Sequence, residues 1–201
     1  MSMKTISVVC EKGGTGKSVL ANELYAAMTR QGYRTSLYSL DGQYEENSRS
    51  HKVEDAEVAI VDTPGVISDN LKEIIEGSDV IVVPVRPTPN DIEPFTRTIE
   101  IIKKNTDAPV LIVVNGFNRF RMSASFLTWL EKKPWAEHVC IVPQSEAIVQ
   151  AEGLQKSVCE LPGRGNAALA IERMANDAAK LAGLKYSMPR QKLMPKTKPK
   201  K

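Results

Sequence analysis

Two lysines, a serine and three glycines fall within the eight residues Glu11-Lys12-Gly13-Gly14-Thr15-Gly16-Lys17-Ser18. Residues without a Cβ let a turn wrap closely around bound oxygens and aim several backbone N–H groups at one point. A helix opening at such a turn adds unpaired donors and the positive end of its dipole. Lys17 then supplies a mobile cation for β- and γ-phosphates, and Ser18 a hydroxyl for Mg2+. A mere tight turn would use Gly13, Gly14 and Gly16 but leave the lysine-serine pair without a purpose. The chemistry indicated is phosphate binding.

A carboxylate in a second place fits the same chemistry. Asp62 ends the apolar run Val58-Ala59-Ile60-Val61 and precedes Thr63-Pro64-Gly65. A carboxylate at a strand end near a phosphate loop anchors Mg2+, usually through coordinated water. Gly65 is placed to offer its N–H to a γ-phosphate and so to distinguish ATP from ADP.

The elements that must position these residues follow from periodicity. The run Ile6-Ser7-Val8-Val9-Cys10 reads as a strand before the loop, and Leu20, Leu24, Ala27 and Met28 recur at helical spacing after it. Gly32 is a plausible stop for that helix, and Thr35 to Leu40 a second strand. Asp41 to Glu57 is polar and aperiodic, which predicts a surface loop. Val58 to Val61, Val80 to Val83 and Val110 to Val114 are continuous apolar runs suited to strands buried on both faces of a parallel sheet.

A short helix is expected after Ser68. Asn90 with Glu93 suggests a capping box opening a helix that buries Ile92, Phe95, Ile99 and Ile102, with Pro94 tolerated in its first turn. A helix from about Ser123 to Lys133, a strand around Val139 to Val142, and a last helix from roughly Asn166 to Ala182 complete the chain. That last helix is expected to turn Leu169, Ile171, Met174, Ala175, Ala178 and Ala182 inward and to stop at Gly183. Strands alternating with helices predict an α/β fold with a doubly wound, mostly parallel sheet and helices on both faces. Ligands of such sheets bind just beyond the strand ends.

Bulk properties narrow the class. At 201 residues, 42% hydrophobic and 25% charged, the chain can bury one good core but not two of usual size. Residues 1–183 read as one folded domain and 184–201 as a basic, disordered tail, since seven basic and no acidic residues lie beyond Gly183. Cys10, Cys140 and Cys159 are odd in number and far apart, which suggests neither a disulfide framework nor a thiolate metal site and fits a reducing compartment. No run approaches the roughly 20 apolar residues of a membrane span, and no signal peptide is visible.

The ordinary P-loop pattern requires glycine where this chain has Glu11. The segment Lys12-Gly13-Gly14-Thr15-Gly16-Lys17-Ser18 instead resembles the deviant Walker A loop of the ParA/MinD superfamily, closest to small ParA-type plasmid or chromosome partition proteins. The resemblance spans about Met3 to Gly183. It implies a cytoplasmic, nucleoid-associated ATP hydrolase of the slow, Mg2+-dependent switch type, with ATP and Mg2+ as cofactors. Lys12 matches the signature lysine that reaches across a homodimer to the partner's nucleotide. Lys12, Lys17 and Asp41 become the catalytic set, with Asp41 positioning the hydrolytic water. Ser18, Asp41 and Asp62 become the metal set.

The same resemblance makes Asn115 a reader of the adenine edge and Pro143-Gln144-Ser145 the loop wrapping the base, beside the loop residues Gly13 to Ser18 and Gly65. In place of the family's Asp-x-Asp-Pro-Gln, this chain has Ser39 for the first aspartate and Gly42 for the proline. A turn alone would account for Asp41-Gly42. Implied partners are a second copy, DNA bound without sequence preference, and a small centromere-binding adaptor. The basic tail and Arg97, Lys103, Lys104, Arg119, Arg121 and Arg173 are possible DNA contacts. Alternatives are a MinD-like membrane-positioning ATPase, disfavoured by the prolines in the tail, or an accessory ATPase of conjugation or secretion. A metabolic ligase or an iron–sulfur carrier on this scaffold is disfavoured by Lys12 and by the cysteine spacing.

Overall fold

The computed structural model describes residues 2–40, 50–65, 69–163 and 165–185. In chain order these form β1 (Lys4–Val8), α1 (Lys17–Arg30), β2 (Thr35–Ser39), β3 (Val58–Asp62), α2 (Asp69–Glu76), β4 (Val80–Val85) and α3 (Pro89–Asn105). They continue as β5 (Val110–Phe117), α4 (Arg121–Leu130), β6 (His138–Pro143), α5 (Glu146–Gly153), a 3-10 turn (Val158–Glu160) and α6 (Asn166–Leu181). Asp41 and the tail beyond Lys185 lie outside the described residues.

The six strands form one sheet in the order β2-β3-β1-β4-β5-β6, every neighbouring pair parallel. Successive strand residues point to opposite faces, so a continuous apolar run feeds two cores at once. Val80, Val82, Leu111 and Val113 face one core with Leu20, Leu24 and Met28 of α1 and Ile171 and Met174 of α6. Ile81, Val83, Val85, Ile112 and Val114 face the other with Phe95, Ile99 and Ile102 of α3 and Phe126 of α4. This is the doubly wound arrangement expected from the alternation of elements.

Four details depart from the sequence reading. First, α3 begins at Pro89 with Thr88 as its N-cap residue, not at Asn90. Proline is favoured at a first helical position because its missing N–H would be unpaired there anyway. Pro94 therefore sits in the second turn, where it removes a donor from the helix. Second, Leu169 points outward and is 52% exposed. It is two residues, or roughly 200° of helix rotation, from buried Ile171, so the two cannot share a face.

Third, β5 runs past Asn115 to Phe117 through a register shift against β6, with Gly116 at φ 73° absorbing the irregularity. Fourth, α5 and the 3-10 turn were not legible as separate elements. The turn is fixed by a capping box in which the Ser157 hydroxyl accepts from Cys159 N–H and the Glu160 carboxylate accepts from Ser157 N–H. No described helix is long and apolar enough to cross a membrane.

Candidate functional site

The order of the sheet reverses around β1, because β2 and β3 lie on one side of it and β4 to β6 on the other. The chain leaves β1 at this switch point and enters α1 through the loop of residues 11–16, with Asp62 beside it at the end of β3. The break after Asp62 is pinned to β1: the Thr63 hydroxyl donates to the Val8 carbonyl at 2.8 Å. Loop, carboxylate and Gly65 are thereby brought together, as their positions after strands require.

Within the loop, Gly14 and Gly16 have φ of 76° and 94°, the left-handed region that side chains rarely adopt. Gly16 is constrained twice. A Cβ there would lie 2.3 Å from the Asn115 side-chain nitrogen, which itself donates to the Thr15 carbonyl at 2.9 Å. Asn115 therefore clamps the loop through its Nδ2. Gly13 and Gly14 have no protein atom within 4 Å of a Cβ position. Packing does not demand glycine at those two positions; the left-handed backbone favours it at Gly14, and both face open space. Gly16 caps α1 without a side-chain hydrogen bond, so the first donors of α1 remain directed at that space.

Lys17 is 7% exposed, and its ammonium donates one long hydrogen bond, 3.4 Å, to the Lys12 carbonyl. A Cβ on Gly65 would approach that ammonium to 3.2 Å, which places Lys17 across the mouth of the loop toward Gly65. Among the described residues no salt bridge balances its charge. A buried cation without a counter-charge is costly, and a bound phosphate supplies one. The residues present therefore fit a nucleotide polyphosphate.

They also fit Mg2+ of the phosphate-bound kind. Ser18 is exposed at the start of α1 and Asp62 is buried at the end of β3. Among the described residues no three His, Cys, Asp or Glu side chains form a metal cage. Mg2+ is ordinarily held by one or two protein oxygens plus phosphate oxygens and water, so a cage is not needed.

Lys12 turns away from the cradle. Its ammonium pairs with Asp91 Oδ1 at 2.8 Å and donates to the Asn90 carbonyl at 3.1 Å, both at the start of α3. Asn90 has this carbonyl available because Pro94, four residues on, brings no N–H to it. Asp91 is buried and also accepts from the Thr88 hydroxyl. The preceding residue is tied to the same helix: Arg97 makes two 3.1 Å hydrogen bonds to the Glu11 carboxylate, and Thr98 Oγ1 accepts from Glu11 N–H at 3.2 Å. Arg97 is thus engaged with the loop, a role that sequence reasoning missed.

Two cavities lie beyond the loop, at the ends of β5 and β6. One, about 500 Å3, is lined by Pro143, Gln144 and Ser145 together with Leu154, Val158 and Leu161. The other, about 340 Å3, is lined by Asn115, Asn118, Gln144, Arg86 and Phe120. The two expected base-site residues are thus placed on separate cavities that meet at Gln144. Asn118 was missed: it donates to Gln144 Oε1 at 3.1 Å and accepts from Phe120 N–H and the Ser123 hydroxyl. Its place three residues after Asn115 was the available signal. Glu23 was missed as well. This α1 carboxylate accepts from the Ser157 hydroxyl at 2.5 Å and from Val158 N–H at 2.9 Å, and burial raises its pKa against the effect of those bonds.

Residues 6–158 match the model of the CobQ/CobB/MinD/ParA nucleotide-binding domain. The chain belongs to that family. No curated protein matches it at the level of sequence. Among solved structures it is similar to a plasmid partition protein of Borrelia burgdorferi, with a TM-score of 0.67 at 14% identity over 90% of this chain and 99% of the other. It is similar to a single-residue variant of McdA of Cyanothece in complex with ATP, with a TM-score of 0.73 at 14% identity over 93% and 99%. It is also similar to the septum site-determining protein MinD of Pyrococcus horikoshii OT3 with Mg-ADP, with a TM-score of 0.72 at 14% identity over 90% and 98%. At these identities the likeness establishes the fold, a six-stranded parallel P-loop sheet.

Proposed function

We propose that this protein is a ParA-type switch ATPase of DNA partitioning: ATP closes two copies face to face, the dimer holds DNA without sequence preference, and hydrolysis resets it. The observation that carries the reading is the position of Lys12. It belongs to the phosphate loop, yet its ammonium is paired with Asp91 at the start of α3, and its side chain is one-third exposed. A cation so placed is of use to a triphosphate on a second copy.

In this reading Gly13 to Ser18 hold the triphosphate of their own subunit through backbone N–H groups and the Lys17 ammonium. Ser18 and Asp62, with Asp41, would hold Mg2+, which neutralises charge on the β- and γ-oxygens when bound. Asp41 orients a water for attack at the γ-phosphorus; the bond to the β,γ-bridging oxygen breaks, leaving ADP and phosphate. Lys17 and the partner's Lys12 stabilise charge developing on the transferred group. Gly65 senses the γ-phosphate. Asn115 and Pro143 face the base, and a small centromere-binding adaptor is the expected stimulator.

The test compares Lys17→Ala with Lys12→Ala, using a fluorescent ATP analogue for binding and light scattering for mass. Lys17→Ala is expected to lose nucleotide, whereas Lys12→Ala keeps nucleotide and loses the ATP-dependent dimer. A Lys12→Ala protein that dimerises and hydrolyses ATP like the parent refutes the reading. DNA retention should appear with ATP, fade with ADP, and fall with salt by a log-log slope of about −0.9 per phosphate contact. Flotation with anionic liposomes in place of DNA retention would transfer the protein to the membrane-positioning class.

A further inference from the structure

Glu11 stands where the common phosphate loop has glycine, and nothing in the proposed reaction uses it. Its surroundings give it a task. Glu11 N–H donates to Thr98 Oγ1 at 3.2 Å, and the same hydroxyl donates to the Pro94 carbonyl at 2.8 Å, so Thr98 joins loop and helix with one atom. Thr98 is buried, and its hydroxyl is held in place by α3 itself. The Glu11 carboxylate meets Arg97 in a two-pronged contact, Nε to Oε2 and Nη2 to Oε1, each 3.1 Å. The third nitrogen of Arg97 is held by Glu93 at 2.9 Å, one turn earlier on α3. Planar guanidinium and carboxylate groups joined by two parallel bonds fix orientation as well as distance.

We propose that Arg97, acting through Glu11, is a positioning residue that fixes the main chain from which Lys12 projects, so that only the Lys12 side chain moves when a second copy closes over the site. The inference rests on the switch reading above. On the other side of Lys12 its carbonyl accepts from the Thr15 hydroxyl at 3.3 Å and from Lys17 at 3.4 Å. Lys12 therefore projects from a short arc anchored at both ends, one end on α3 and the other on the nucleotide loop. Releasing the α3 end adds conformational freedom that must be lost again for Lys12 to reach a partner's phosphates. Nucleotide binding within one subunit rests on Gly13 to Ser18 and does not draw on this brace.

The experiment measures ATP affinity of the monomer and ATP-dependent dimerisation separately, in Glu11→Gln, Arg97→Gln and the double variant, without DNA. Each single substitution should leave nucleotide affinity within about twofold of the parent and weaken the dimer about 10- to 25-fold, the scale of one well-formed exposed ion pair lost in each of the two subunits. The double variant should be no worse than either single one, and the deficit should vanish near 1 M salt, where the screening length is about 3 Å. Additive losses, or Arg97→Gln dimerising like a parent that itself dimerises, overturn the inference and leave the switch reading standing. A parent that stays monomeric with ATP removes both.

Discussion

Asp91→Asn is the most informative single substitution in this protein. In the proposed switch Lys12 must leave Asp91, with which it pairs at 2.8 Å, before it can serve a second copy, so the Asp91 pair opposes closure. Asparagine keeps the shape and an oxygen able to accept from Thr88, but removes the charge. The Asp91 side chain is 5% exposed and that of Lys12 34%, so the pair is partly shielded from water yet open on the cation's side. Such a pair contributes about 1 kcal/mol, at the upper end of the surface range. A two-fold dimer opens two of them, one per subunit, so their removal favours the dimer by about 2 kcal/mol, or roughly 30-fold in dissociation constant. Sedimentation with a nonhydrolysable ATP analogue reads this shift, with thermal unfolding as a control for an intact fold. The gain should disappear in a Lys12→Ala background, because the substitution acts through that lysine alone. An Asp91→Asn protein that is folded but dimerises no better than the parent, or gains equally without Lys12, refutes the argument.

Two further substitutions test the site and its support. Gly16→Ala places a methyl group 2.3 Å from the Asn115 nitrogen and forces alanine into φ of 94°; left-handed strain of about 1–2 kcal/mol and loss of the Asn115 bond to Thr15, about 1 kcal/mol, should lower the melting temperature and abolish nucleotide binding. Unchanged melting by calorimetry would show that the loop relaxes around the methyl group. Glu23 binds its proton more tightly in the folded chain than the ordinary carboxylate value of 4.5 implies, chiefly because it is buried. Its contribution to stability is therefore greatest below that value and declines as pH rises through the raised folded value. Glu23→Gln, which still accepts from Val158 N–H, should flatten that part of the pH profile in denaturant titrations. A profile as steep as the parent's would place the titrating group elsewhere.

The readable parts of this molecule were those where one residue type serves one purpose. Gly16 needs a left-handed turn, and the run from Val80 to Val83 a strand covered on both sides; each is recognisable without a neighbour. Asn115 was legible as an amide following an apolar run but not as the clamp on Thr15, because that bond joins residues a hundred positions apart. Arg97 was read as one more basic residue for a polyanion. Only the packing of α3 against the loop shows it bound to Glu11. Leu169 was drawn inward by its hydrophobicity although the helical angle from Ile171 forbade it. The start of α3 was read at Asn90 since Asn90 and Glu93 imitate a capping box, whereas Pro89 carried the stronger signal one residue earlier. Asp41 remains a sequence expectation.

Pro94 is not the residue to which the Lys12 ammonium bonds, yet it decides what Lys12 can hold. The acceptor it releases is a main-chain oxygen, so replacing the side chain at position 90 leaves that oxygen in place. The anchorage of the signature lysine is in this sense written four residues away from where it occurs. A chain drifting at position 90 would keep it, and one that exchanged the proline for any residue carrying an amide hydrogen would hand the oxygen back to the helix.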